Sequence, residues 1–283
     1  MSIAVTILTY NRLKFLKEII ASIKNQTLKP DEIIVINNSS TDGTGEWLAQ
    51  QEGLTIITQE NLGSSGGQRR AFKEAYSKNH DWIWTMDDDV VPALNCLEQL
   101  MDDEDSHKIR TPLRYTFEGK PFFNDTLKVN LTNPFKSIWA KIYCEENLEE
   151  EQTEAVGITF EGPLFNRLLI EKIGLPEKDF FIYGDDTDFF IRASRAGFKI
   201  YVYRAATMQR KLPYESIPIE FNWKTYYMIR NIIAIDVLHG NIAVRTLRPF
   251  AYLIKWMFRI HKFSDIKTVL KAFKDGYLFK SNR

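Results

Sequence analysis

Four short runs rich in β-branched residues, Ile3–Leu8, Glu32–Ile36, Leu54–Thr58 and Trp82–Met86, are separated by segments whose apolar residues fall at helical spacing, as in Leu16, Ile19, Ile20 and Ile23. The runs return every ~25–30 residues, the length of a strand–helix–strand unit. That rhythm predicts an α/β fold: a mostly parallel, Rossmann-like sheet flanked by helices on both faces. Such sheets bind ligands beyond the carboxyl ends of their strands, so the residues that follow each run bear on function.

Three of those ends are polar: Thr9-Tyr10-Asn11-Arg12, Asn37-Asn38-Ser39-Ser40-Thr41-Asp42-Gly43, and Asp87-Asp88-Asp89. From Leu127 to Ala155 periodicity lapses and acids cluster at Glu145-Glu146 and Glu149-Glu150-Glu151. That stretch reads either as a mobile or partner-facing insertion or as a solvated surface. Strand and helix patterns resume at Ile158–Ile173 and Phe180–Ala196, and beyond Pro213 the pattern is helical. We therefore expect a first domain over residues 1–212 and a helical C-terminal region over 213–283. With 283 residues, 44% of them hydrophobic, the chain can bury such a core and is too apolar to be disordered. Cys96 and Cys144 lack a CxxC partner and are expected to be reduced packing residues. No basic leader and no run of ~18 apolar residues is visible, so a cytoplasmic protein without a membrane span is expected.

Asp87 and Asp89 leave a buried strand in extended backbone and so point to one side, where two carboxylates can reach a hard divalent cation that also holds a diphosphate. A solvated loop or helix cap is the competing reading. Asp185 and Asp186 lie among Phe181, Tyr183 and Phe189. They are either capping residues favoured by a helix dipole or a partly desolvated base able to take a hydroxyl proton. Asn61-Leu62-Gly63-Ser64-Ser65-Gly66-Gly67-Gln68-Arg69-Arg70 is a glycine-rich turn entering a helix; its amides can approach a phosphate, with Arg69 or Arg70 adding charge, or it is structural only.

These pieces occur in a known order. Ile7–Arg12, Gln26–Thr44, Asn61–Gly67, Trp82–Asp89 and Phe181–Arg192 together resemble family 2 glycosyltransferases of the GT-A fold, over about residues 1–210. The Asn-x-Gly-x-x-Gly-Gly loop and the acidic triplet are most similar to the galactofuranosyltransferase and rhamnosyltransferase branch. The resemblance implies an inverting hexosyltransferase that moves a sugar from a UDP- or dTDP-sugar to a hydroxyl of a glycan or lipid-linked acceptor in cell-surface polysaccharide synthesis. Thr9, Tyr10 and Arg12 would line the nucleotide pocket, with Gly66, Gly67 and Arg69 at the phosphates. Asn37 stands where the family usually has an aspartate that accepts the pyrimidine N3–H, a bond an amide oxygen also accepts. Asp87 and Asp89 would hold Mn²⁺ or Mg²⁺, and Asp88 would lie near the ribose or sugar. Asp186 would be the general base and Asp185 its acidic neighbour. Glu161, Tyr183 and Trp84 are the acceptor candidates, although Trp84 shares a strand face with Trp82 and core packing competes. One departure stands out: many relatives have a metal-binding histidine after the strand that here reads Lys199–Tyr203, yet none of His80, His107, His239 and His261 falls in Arg204–Leu212. Either Gln209 or water would complete the shell, or the metal would be held more loosely, which leaves the third ligand unassigned.

The net charge of +0 conceals an asymmetry, because Arg245–Arg283 holds ten Lys/Arg and two Asp/Glu, a charge of +8 against −8 for the remainder. Two amphipathic stripes lie there, Leu247, Phe250, Ile254, Met257 and Phe258, then Ile266, Val269, Leu270, Phe273 and Tyr277. Flanked by Arg248, Lys255, Arg259, Lys262, Lys267, Lys271 and Lys274, they suit the anionic inner face of a plasma membrane, at roughly 1 kcal/mol per cation. Docking on the acidic domain, or on a second subunit of a homo-oligomer, is the alternative. A catalytically idle module that binds a nucleotide sugar or glycan is the second functional reading. An acidic first domain opposes a nucleic-acid partner.

Overall fold

The computed structural model describes residues 1–102, 105–213 and 221–282. Its first part realises the expected alternation: β1 (Ile3–Thr9), α1 (Leu13–Lys24), β2 (Glu32–Asn37), α2 (Thr44–Leu48), β3 (Thr55–Thr58), α3 (Gly63–Ser77) and β4 (Trp82–Asp87). β1 pairs in parallel with β2 and β4, and β2 with β3. All of β1 is buried because both sheet faces are covered. Leu16, Ile19, Ile20 and Ile23 of α1 pack with Val5, Ile7 and Val35, whereas Ala71, Phe72 and Ala75 of α3 pack with Ala4, Leu8 and Ile34. Alternate residues of one strand thus feed two cores, as the two-residue period of a strand requires.

The second part adds β5 (Val90–Pro92), α4 (Cys96–Leu100), β6 (Lys108–Tyr115), β7 (Thr126–Val129), β8 (Trp139–Ile142), β9 (Gln152–Ala155), β10 (Leu164–Asn166), α5 (Leu168–Ile173), α6 (Asp185–Arg195) and β11 (Lys199–Arg210). The main sheet runs β3-β2-β1-β4-β10-β6-β11-β5, with β9 paired to β11. β10 runs antiparallel to β4 and β6, so the sheet is mixed beyond its parallel half. The aperiodic stretch from Leu127 to Ala155 is ordered: β7 and β8 form a separate antiparallel ladder, and β9 joins the main sheet. Its short strands escaped the periodicity because each spans only four residues, β8 is exposed throughout, and the buried positions of β9 are Thr153 and Ala155 instead of large apolar side chains.

Three helices follow, α7 (Trp223–His239), α8 (Ile242–Met257) and α9 (Phe263–Tyr277). The residues between Pro213 and Phe221, where helix was expected to begin, lie outside the described set. α7 shares a core with the sheet domain through Ala234 and Ile235 against Phe180 and Ile191. Arg248 of α8 turns inward to Asp236 of α7, donating from Nε at 2.8 Å in a buried ion pair, so it is not one of the surface cations expected from the sequence. Both cysteines are free. Among the described residues no helix is long and apolar enough to cross a membrane.

Candidate active site

Parallel pairing sets Leu8 beside Asp87, so the loop after β1 faces the acidic triplet at the end of β4. The backbone N–H of Tyr10 donates to Asp88 (3.3 Å), and the Arg12 guanidinium donates to Asp88 (3.3 Å) and to Asp89. Asp87 takes a different partner: Gln68 of α3 donates to it at 3.1 Å and accepts from the Thr85 hydroxyl at 2.9 Å. Gln68 was not anticipated, since a glutamine in a glycine-rich helix carries no signal until β4 is placed beneath it. Burial, reinforced by the charges of Asp89, Glu161 and Asp88, holds the Asp87 carboxyl well above the usual range. Burial also pushes Asp88 up to about 6, with Arg12 pulling the other way.

The second acidic pair is built by a tight turn. Phe181 and Tyr183 adopt φ of 65° and 66°, in the left-handed region that non-glycine residues rarely occupy, and Gly184 follows at 87°. Asn231 of α7 holds this turn by donating to the carbonyls of Phe180 (3.0 Å), Ile182 (2.7 Å) and Tyr183 (2.8 Å). Helix α6 then starts with Asp185, Asp186 and Asp188 in its first turn, where the dipole favours acids. The Thr187 N–H and hydroxyl donate to one Asp186 oxygen at 2.6 and 3.2 Å. Burial raises the carboxyls of both Asp185 and Asp186, Asp185 further by the charge of its neighbour.

A third group faces the same space. Glu161 accepts from Arg114 at 2.8 Å and from Arg210, and Arg114 also donates to Asp125 at 2.6 Å. Burial alone would raise Glu161, yet Arg114 and Arg210 together hold it below its ordinary value. Arg210 ends β11 and lines the cleft, whereas Gln209 lines a separate small cavity beside Val91 and Tyr115 and not the cleft that holds Asp87 and Asp89.

All three groups line one cleft of about 860 Å³, with Tyr10, Arg12, Gly63, Ser64, Tyr183, Trp223 and Lys224 on its walls. The other expected residues do not line the cleft. Thr9 is buried beside Asp88, where its hydroxyl favours the ionised carboxylate. Asn37 is buried too, and its side-chain oxygen accepts from the Ser40 N–H (3.0 Å), pinning its own loop. Trp84 is 0% exposed and donates to the Gly162 carbonyl at 2.9 Å, so core packing decides its role. Arg69 donates to the Pro176 carbonyl at 2.8 Å. Gly66 and Gly67 lie within α3, where an added Cβ would come 2.5 Å from Leu62 and 2.3 Å from Leu8 respectively. Both are buried and allow close packing on Leu62 and Leu8, whereas Gly63 and Ser64 of the same helix line the cleft.

The lining carries six carboxylates, Asp87, Asp88, Asp89, Glu161, Asp185 and Asp186, against Arg12, Arg210 and Lys224. An anionic ligand enters such a space only with added positive charge. Hard carboxylate oxygens whose charge is unbalanced fit Mg²⁺ or Mn²⁺ in chemistry. Among the described residues, however, no three His, Cys, Asp or Glu side chains are grouped to hold an ion. The fit is therefore that of an ion shared between one or two carboxylates, phosphate oxygens and water.

Residues 4–174 match the family described as Glycosyl transferase family 2. The chain is 23% identical over 205 residues to Galactofuranosyltransferase GlfT1 of Mycolicibacterium smegmatis, covering 69% of this chain and 66% of that protein. It thus spans just under two thirds of the length of that relative. The fold is similar to GalNAc-T7 with UDP, GalNAc and Mn²⁺ (TM-score 0.68, 12% identity, 97% of this chain and 54% of that one). It is also similar to residues 1–349 of S. aureus TarS with UDP-GlcNAc (TM-score 0.59, 16% identity, 98% and 80%). These likenesses give the chain a GT-A-like α/β fold.

Proposed function

The chain belongs to glycosyl transferase family 2, and from that premise we propose that it transfers a sugar, galactofuranose in preference to rhamnose, from a nucleoside diphosphate donor to an acceptor hydroxyl with inversion. Residues 1–212 carry the chemistry, and the region over 213–283 supports it. One observation carries the reading: the acidic triplet, the Asp185–Asp186 pair and Glu161 share a single cleft, although they lie far apart in sequence.

The division of work follows from the environments. Tyr10 and Arg12 border the nucleotide end, and Asp88 lies near the ribose or sugar. Asp87 and Asp89 would hold Mn²⁺ or Mg²⁺; when bound, the ion supplies charge stabilisation to the departing diphosphate. Asp186 takes the proton of the attacking hydroxyl, because desolvation has raised its basicity while the Thr187 donors fix its orientation. Tyr183 and Glu161 border the acceptor side, with Glu161 held as the anion by its two arginines. A base on the face opposite the diphosphate gives direct displacement and an inverted anomeric centre. The similarity to the M. smegmatis galactofuranosyltransferase supports galactofuranose, and a lipid-linked glycan acceptor at the inner face of the plasma membrane accords with the basic C-terminal helices.

The test is a panel of UDP- and dTDP-sugars, read by thermal protection and by transfer to a lipid-linked acceptor with and without Mn²⁺. Transfer from UDP-galactofuranose supports the reading. Donor protection without transfer or hydrolysis would instead favour a binding module.

A further inference from the structure

Helix α8 is apolar on two opposite sides. Tyr252, Leu253, Trp256 and Ile260 pack inward in the core shared with α7 and α9. Leu247, Phe250, Ile254, Met257 and Phe258 face outward, with Ile254 57% and Phe258 87% exposed. A helix that is apolar all round belongs in an interior, and a soluble monomer rarely leaves such a face bare. The stripe on α9 differs: Val269 is fully buried, Leu270 is exposed, and Phe273 and Tyr277 pack against Phe250 at 5.2 and 6.1 Å, which joins the outward faces of the two helices. Phe263, 77% exposed, extends the apolar surface at the start of α9.

Charge around this face has one sign. Lys255, Arg259, Lys262, Lys267, Lys271 and Lys274 are exposed. The two acids of α9 are engaged: Asp265 accepts from the Lys262 N–H at its own helix start, and Asp275 accepts from the Tyr226 hydroxyl at 2.5 Å. A second copy seated here by two-fold symmetry would bring cations against cations. We propose that the outward face of α8, continued by Phe263 of α9, docks on an anionic lipid bilayer, with Ile254 and Phe258 entering the headgroup boundary and the lysines and arginines meeting lipid phosphates.

The helix that bears this face also borders the cleft wall, through its inward side. Trp256 packs against Phe221 at 5.8 Å, and Phe221 is followed closely by Trp223 and Lys224, which line the cleft. A bilayer held by α8 would bring an acceptor carried on a lipid to the part of the molecule that α8 shares with the cleft wall. This last part rests on the proposed transfer activity; the docking surface does not.

The experiment is co-sedimentation of the full chain with phosphatidylcholine vesicles, with and without phosphatidylglycerol. Ile254→Glu with Phe258→Glu is one variant, Lys255→Glu with Arg259→Glu and Lys262→Glu a second, and Leu94→Ser, 60% exposed beside Thr27 in the sheet domain, the control. We expect binding to require phosphatidylglycerol and to weaken at least ~10-fold in both α8 variants. The control, the melting temperature and the nucleotide-sugar affinity should not change. Binding that survives both variants, equal binding to neutral vesicles, or no vesicle binding alongside a dimer that the first variant dissociates would each overturn the proposal. Vesicle binding as expected, together with no transfer from any donor, would count against the proposed activity and leave the surface standing.

Discussion

The side-chain amide of Asn231 donates to the carbonyl of Tyr183 at 2.8 Å, tying the middle of α7 to the left-handed turn that launches the Asp185–Asp186 pair. The same amide reaches the Ile182 carbonyl at 2.7 Å. Removing it takes this donor from the Ile182 and Tyr183 carbonyls, while the Phe180 carbonyl keeps the Arg230 guanidinium. Asn231→Ala is expected to cost about 1–3 kcal/mol in urea unfolding and, on the proposed reading in which this turn aims Asp186 as the base, to reduce turnover more than donor affinity.

Asp186→Asn should leave nucleotide-sugar binding near the wild-type value while lowering turnover by ~10²–10⁴-fold. Burial raises the Asp186 carboxyl, so the ionised base is lost as pH falls through a value above the ordinary carboxylate range. The acid limb of the wild-type rate profile should therefore lie above that range. Titration calorimetry with steady-state rates checks the first part; an acid limb that persists unchanged in a residual activity of the variant would remove Asp186 from the base role.

Asp185 provides a stability test. Burial first, and the charge of Asp186 second, raise its carboxyl in the folded state. For an acid with a raised folded value, the associated stability is fully present below the unfolded carboxylate pKa and is lost as pH rises through the folded one. Wild-type stability should decline between about pH 4 and pH 8 more steeply than that of Asp185→Asn. Urea melts across that interval measure the difference, and parallel slopes would contradict it.

Gly67→Ala places a methyl group 2.3 Å from Leu8. We expect a loss of about 1–3 kcal/mol from overpacking, recovered in part by Leu8→Val. A pure loss of nucleotide affinity, with stability intact, would point back to a phosphate contact.

Arg12 sits on Asp88 and Asp89 and supplies their positive partner. Arg12→Gln frees those oxygens, so Mn²⁺ binding measured by electron paramagnetic resonance without nucleotide should tighten several-fold. Unchanged or weaker binding would mean that the guanidinium and the ion do not compete for these carboxylates.

Much of the site was legible because some chemistry is local. Asp87, Asp88 and Asp89 follow an apolar run, and the polar end of a buried strand opens onto the ligand-binding edge whatever packs around it. Asp185 and Asp186 were legible as a helix start among aromatics. Arg210, Arg114 and Gln68 were not. A lone arginine or glutamine in a strand or helix has no local pattern, and its meaning appears only when Glu161 or Asp87 is brought within 2.8 to 3.1 Å across the fold.

The sequence by itself determined the strand–helix rhythm, the acidic strand ends and the basic amphipathic character of the last helices, since these depend on the order of apolar and charged residues along the chain. Only tertiary structure decided that Trp84 is core, that Gly67 packs against Leu8, and that α8 bares its stripe while much of the α9 stripe is covered. Periodicity states which face of an element is apolar; what covers that face depends on contacts between residues distant in sequence, which no local pattern encodes.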